Sequence, residues 1–211
     1  LARACGIDAA PTQALPLHHQ HAVAIRRFDR SPGRRLHAIS ANVALRAAGE
    51  TEMSYLHLSQ LLRRLARADE IAAQQHELFR RMVFNIVMDN TDDHEKNHGL
   101  LRLDDGHHCL TPAFDVVPSA QGLGYQQMTV GDRSTESTLA NALSQCRQFG
   151  LDKSAAEATV RSICATVDGW QSHFTQCGVC AHDIAVLAQF IDGERLGGER
   201  RDFVKSGRGH A

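Results

Sequence analysis

Residues 89–99 read Asp89-Asn90-Thr91-Asp92-Asp93-His94-Glu95-Lys96-Asn97-His98-Gly99, with three Asp, one Glu, two His and two Asn among eleven positions. A segment so rich in oxygen and imidazole donors, and so poor in apolar residues, is either a solvated loop or a site. Three chemistries compete for it. His94-Glu95-Lys96-Asn97-His98 spells the H-E-x-x-H of zinc peptidases, in which a helix aims two imidazoles at one metal and the glutamate activates water. Here the motif follows a polar tetrad and stops on Gly99, leaving barely one turn of helix, and Lys96 adds a cation beside the metal. A structural zinc site is the second candidate, from His173, Cys177, Cys180 and His182 near the C-terminus. Two Cys with two nearby His match a zinc knuckle weakly, and cysteine is common at helical core positions. Magnesium-dependent phosphoryl transfer is the third. It needs a carboxylate to accept a hydroxyl proton, oxygen ligands for the metal and cations near the phosphates. Magnesium prefers carboxylate and amide oxygens to imidazole, and Asp92, Asn97 and the isolated Asp115 offer such a set.

These residues need elements to hold them. Residues 69–88 carry Ile71, Leu78, Phe79, Met82, Val83, Ile86 and Val87 at helical spacing. The C-terminal half of that run is apolar over much of its circumference, which predicts a buried helix delivering the acidic loop to the surface. Beyond the loop, Leu100-Leu101-Arg102-Leu103 and His108-Cys109-Leu110 flank Asp104-Asp105-Gly106, a strong hairpin signal. A hairpin of suitable length folds Asp115 back beside Asp92 and Asn97.

Upstream, residues 1–5 read as the end of a helix stopped by Gly6, followed by a loop punctuated by Pro11 and Pro16. Residues 21–28 read as a strand with Val23 and Ile25 on one face, and residues 29–33 as a turn. Helices are predicted over residues 39–48, around Leu56, Leu61, Leu62 and Leu65, and over residues 139–149, 155–167 and 181–191. Residues 121–131 suggest a loop with a short strand, and the Gly- and Arg-rich stretch after residue 193 a frayed tail. The fold class is therefore mainly α (α+β overall), with small β-hairpins.

The chain has 211 residues, 43% hydrophobic and 22% charged, with a formal net charge of -1. That length supports one large or two small cores, and the balance gives no general attraction to nucleic acid. No apolar run approaches a membrane span. The six cysteines are spread along the chain and read as reduced cytosolic thiols. The sequence opens Leu-Ala-Arg, with neither Met nor a signal-peptide pattern, so it is expected to be a piece of something longer and cytoplasmic.

The run Asn90-Thr91-Asp92-Asp93-His94-Glu95-Lys96-Asn97, with Phe114-Asp115 beyond it, resembles the catalytic and metal-binding motifs of HipA-like serine/threonine kinases, the toxins of bacterial toxin–antitoxin pairs. Ile25-Arg26-Arg27-Phe28-Asp29-Arg30 resembles the family's hinge segment and Leu78-Phe79-Arg80-Arg81-Met82-Val83-Phe84-Asn85 its buried helix. The resemblance runs from residue 1 to about residue 190.

It implies the helical C-lobe of a protein-kinase-like fold that uses ATP and Mg2+. Residues 1–30 would be a remnant of the small lobe with the hinge strand, residues 31–192 the large lobe, and residues 193–211 a flexible tail. Asp92 would be the catalytic base, and Asn97 and Asp115 the metal ligands. His94 would lie near the nucleotide, and the backbone of Arg26, Arg27 and Phe28 would hold the adenine. The spacing of Lys96 suits it to offset phosphoryl charge. The family's phosphate-binding loop and anchoring lysine precede the first segment present here, so this chain is either the C-terminal piece of a kinase or a degenerate copy serving as a binding module. The implied partners are a protein substrate, such as an aminoacyl-tRNA synthetase, and a HipB-like helix-turn-helix antitoxin. DNA would be contacted mainly through that antitoxin, and no membrane is involved.

Overall fold

The helix that anchors the molecule, α3 (Ile71–Val87), is buried as its apolar pattern predicts: Leu78, Phe79, Met82, Val83 and Ile86 expose nothing to solvent. Each such side chain contributes roughly 1.5–3 kcal/mol through burial. The computed structural model describes residues 1–206. From Arg81 onward every residue is buried through Thr91, and Asp92 is the first to reach solvent. The helix thus ends inside the protein, and the polar loop emerges from its C-terminal end.

Helix α2 (Tyr55–Leu65) packs along α3, and α1 (Ala41–Ala47) precedes it. Ser40 and Ser54 cap these helices, their hydroxyls accepting from the backbone N–H groups of Val43 and His57. Also packed on α3 are α4 (Leu139–Ser144), a 3-10 turn (Cys146–Phe149) that touches α2 as well, and α5 (Lys153–Val167), followed by α6 (Trp170–Gln176), α7 (Ala181–Ile191) and α8 (Glu194–Ser206). A 3-10 turn (Ala2–Cys5), closed by Gly6 at φ 74°, starts the chain.

Strands are few. An exposed hairpin pairs β1 (Thr12–Leu17) with β2 (Gln20–Ile25), and a second, smaller one pairs β3 (Arg30–Ser31) with β4 (Arg34–Arg35). The sheet β5-β6-β7 joins β5 (Ala38–Ser40), β6 (Gly99–Arg102) and β7 (His108–Leu110), all antiparallel. Its β6–β7 turn carries Asp104-Asp105-Gly106, with Gly106 at φ 91°.

Four expectations are corrected. The Pro-punctuated loop contains β1, because Pro16 lies on an exposed two-stranded ribbon where a missing N–H is tolerated. The helix expected from residue 39 starts at Ala41, since Ile39 and Ser40 pair with β6. Residues 121–131 hold no strand, only isolated bridges such as Ser54 with Thr129 and Tyr125 with Glu136. The flexible tail is a helix as far as Ser206, fastened by the buried Leu196 and Arg200; the remainder of the expected tail, residues 207–211, lies outside the described residues. No helix among the described residues is long and apolar enough to cross a membrane, and the six cysteines form no disulfide.

Candidate active site

A cavity of about 390 Å3 opens where the chain leaves α3, and Asp92, Asn97 and Asp115 all line it. The β6–β7 hairpin brings this about: it reverses the chain, and Ala113 pairs with Ala9 and donates to Asp8. Asp115 follows with φ 57°, a left-handed conformation that turns an aspartate out of an otherwise extended run. Asp89, at the head of the loop, has φ 55°. Two such residues bracketing one cavity mark a locally strained site.

The backbone of the loop is held firmly. The Ser119 hydroxyl accepts from the N–H groups of Thr91 (2.9 Å) and Asp92 (3.3 Å). The buried Asp89 carboxylate accepts from the N–H groups of Gln121 and Gly122 and from Arg195 of α8. Glu95 accepts from Asn42 of α1 at 2.6 Å, so its carboxylate braces the loop. Asn97 Nδ2 donates to the Asp92 carbonyl at 3.5 Å, and among the described residues no hydrogen bond engages its Oδ1. An amide oxygen and two carboxylates around one polar cavity form a hard, all-oxygen donor set suited to Mg2+. Gly99 ends the loop, where a Cβ would come within 2.7 Å of Thr111 Cγ2.

A second cavity, about 400 Å3, is lined by Arg26, Arg27, Phe28, Lys96 and Phe114 among others. The rings of Phe28 and Phe114 lie 5.6 Å apart, so the residue preceding Asp115 packs on the hinge segment and ties the two cavities together. The Arg27 guanidinium is clamped onto Asp29 at 2.7 and 2.6 Å and holds that carboxyl down at about 2. The Arg26 N–H donates to the Pro11 carbonyl, whereas the N–H groups of Arg27 and Phe28 have no hydrogen bond among the described residues. Lys96 faces this second cavity, and His94 lines neither.

The zinc readings lose their geometry. Residues 94–98 form no helix, and His98 Nε2 points inward to Asp93 at 2.9 Å, away from any metal shared with His94. His173 Nε2 lies 2.9 Å from the Leu1 amine and Cys180 Sγ caps α7. Among the described residues, no group of three or more His, Cys, Asp and Glu is arranged to hold a metal.

Beneath the loop lies a buried group that the motif reading passed over: Tyr55, Asn85, Asp93 and His98. Burial pushes the Asp93 carboxyl up, but the His98 imidazole and the hydrogen bonds from His98 and Tyr55 outweigh it and leave the group below its ordinary value. Burial and the Asp93 charge raise Tyr55 well above the usual phenol range. The only sequence signal was position, since Asp93 and His98 immediately follow Asp92 and Asn97.

A helical lobe with small antiparallel hairpins, its polar loop sited between a buried helix and a short hairpin, is the large lobe of a protein-kinase-like fold. The HipA-like C-terminal domain model matches residues 1–170, and the chain belongs to that family. HipA of Shewanella oneidensis MR-1, solved with HipB and operator DNA, superposes with a TM-score of 0.72 at 17% identity, covering 97% of this chain and 55% of HipA. The Helicobacter pylori proinflammatory kinase CtkA superposes at 0.70 with 11% identity, covering 100% of this chain and 81% of CtkA. A Haemophilus influenzae protein named, provisionally, as a kinase is 27% identical over 110 residues, 47% of this chain and 32% of its own length. The chain thus spans about half the length of that HipA and about a third of the Haemophilus relative.

Proposed function

We propose that this chain is the nucleotide- and metal-binding lobe of a HipA-like protein kinase that transfers the ATP γ-phosphate to a serine or threonine hydroxyl. The observation that carries the reading is the convergence of Asp92, Asn97 and Asp115 on one cavity, with the hinge cavity joined to it through Phe28 and Phe114. Asp92, exposed at the mouth of the cavity like Asp115, accepts the proton of the substrate hydroxyl as the oxygen attacks phosphorus. Asn97 Oδ1 and the Asp115 carboxylate hold Mg2+, which supplies charge neutralisation of the phosphates when bound. The free N–H groups of Arg27 and Phe28 receive the adenine edge, Phe28 gives it an apolar wall, and Lys96 and His94 lie toward the nucleotide. Residues 1–30 serve as the hinge side of the site and residues 31–192 as its catalytic body.

The partner is a HipB-like antitoxin, consistent with the HipA structure that contains HipB and operator DNA. DNA is contacted through that antitoxin, and the substrate is a cytoplasmic protein of the translation apparatus. Phosphate transfer from [γ-32P]ATP by the full-length gene product tests the central claim. Asp92→Asn is expected to lower turnover at least ~100-fold while ATP still binds; Asp115→Ala is expected to abolish Mg2+-dependent ATP binding. ATP binding without Mg2+ dependence, or turnover unchanged in Asp92→Asn, overturns the reading. Persistent binding without transfer in the unmutated protein identifies a binding module instead.

A further inference from the structure

The loop carrying Asp92 and Asn97 has two faces. Asp92 and Lys96 are exposed, whereas Asp93 and His98 are buried, with only 3% and 2% of their surface exposed. The inward side chains form one continuous run of hydrogen bonds. His98 Nε2 donates to Asp93 Oδ2 at 2.9 Å, and the Tyr55 hydroxyl donates to the same oxygen. Asn85 Nδ2 reaches the Tyr55 oxygen at 3.4 Å, and Asn90 Nδ2 donates to Asn85 Oδ1 at 3.1 Å. Tyr55 belongs to α2 and Asn85 to α3, so Asn90 and Asp93 are pinned to the two central helices and His98 is tied to them through Asp93.

Asp93 directly follows Asp92, and His98 directly follows Asn97. The Asp93–His98 bond therefore ties together the two backbone segments from which the reactive side chains project. We propose that Asp93 and His98 are positioning residues, a staple under the loop that sets the spacing between the proton-accepting Asp92 and the cation-holding Asn97. The proposal rests on the phosphotransfer reading above.

Stability alone is a poor reason for this arrangement. A buried carboxylate with a tyrosine and a histidine gains little over apolar side chains of similar volume, because desolvation offsets the pairing. What the polar chain adds is direction. Each hydrogen bond admits one narrow geometry, and in a water-poor interior neighbouring bonds strengthen each other. The Tyr55 ring also packs edge-on against His98 at 5.6 Å, which limits rotation of the imidazole. An apolar replacement fills the space but leaves the two segments free to drift by fractions of an ångström, enough to matter for in-line transfer.

The test uses the full-length gene product carrying Tyr55→Phe, Asp93→Leu and His98→Phe together. Removing the carboxylate together with its tyrosine and histidine leaves no orphaned buried charge, and Asn85 loses only its long 3.4 Å contact to the Tyr55 oxygen, so the variant should fold. The expected result is a melting temperature within ~5 °C of the parent and a KM for ATP within about threefold, with kcat down roughly tenfold or more. The Mg2+ half-saturation should rise at least about threefold, since Asn97 is no longer held. A folded variant with unchanged kcat and Mg2+ half-saturation overturns the staple and leaves the phosphotransfer reading standing. Absence of transfer in the parent protein overturns that reading, and the staple's role with it.

If the triple variant does not fold, His98→Gln and His98→Leu decide the matter. The glutamine amide can still donate to Asp93, so its kcat should exceed that of the leucine variant by about fivefold or more at equal folded fraction. Equal values overturn the proposal.

Discussion

Glu199 occupies a place where a carboxylate is costly. Burial raises its pKa above the ordinary value, and the N–H groups of Leu139 and Ala140 together with Arg195 only partly offset this. A carboxyl that titrates higher in the folded state binds its proton more tightly there. Its contribution to stability is present in acid and is lost as pH rises from the ordinary glutamate range through the raised value. Glu199→Gln keeps an oxygen to accept from Leu139 N–H and removes the charge. The variant should melt above the parent at neutral pH, and the two curves should converge near about pH 4, as followed by circular dichroism. The cysteines obey similar logic. Burial pushes Cys164 up to about 12 and Cys5 to about 11, while Cys177 and Cys180 are exposed. Iodoacetamide at mildly alkaline pH should label Cys177 and Cys180 first, as peptide mapping would show.

Among the elements, α3 and α8 together govern the start of the loop. Helix α3 supplies the burial from which the loop emerges. Helix α8 returns to the C-terminal end of α3: Arg200 donates to the carbonyls of Ile191 (2.5 Å) and Val87 (3.5 Å) and to Asp192 and Asp168. Arg195, one turn earlier, reaches Asp89 and the Ser137 carbonyl. Arg200→Leu leaves buried carbonyls without their donor and two carboxylates without their cation. It should lower stability by about 3 kcal/mol in urea titrations. Because Val87 and Asp89 lie just before the loop, the same variant should also increase hydrogen exchange at Thr91 and Asp92.

For the whole molecule, the distribution of charge limits what the chain can bind alone. Among the described residues no lysine or arginine lines the Asp92–Asn97–Asp115 cavity, and in the neighbouring one Arg27 is already paired with Asp29, which leaves Arg26 and Lys96. A triphosphate bound here would rely on Mg2+, Lys96 and Arg26 for nearly all its neutralisation. Titration calorimetry of the 211-residue chain should therefore give a Kd for MgATP of about 100 µM or weaker, and no detectable binding once EDTA removes the metal. Nanomolar affinity without Mg2+ would contradict this account. The exposed β1–β2 ribbon, with Val23, Leu17 and Ile25 in solvent, is likewise a surface that a two-stranded hairpin cannot bury by itself.

Local pattern was enough for several features. The apolar spacing of residues 78–87 determined a buried helix, Asp105-Gly106 a hairpin, and the polar run at residues 89–99 a loop, because each depends on neighbours within a few positions. The family motifs singled out Asp92, Asn97 and Asp115, and the hairpin does bring them to one cavity. Only the tertiary structure decided the rest. Helix α8 looked like a tail because its mean hydropathy is low; its order comes from Arg200 finding the distant Val87 carbonyl and Asp168. Phe28 meets Phe114, and Asp93 meets Tyr55, only after the chain has folded back on itself. A polar residue carries no mark of which distant group will satisfy it, so its partner emerges only from the packing of the elements that carry both.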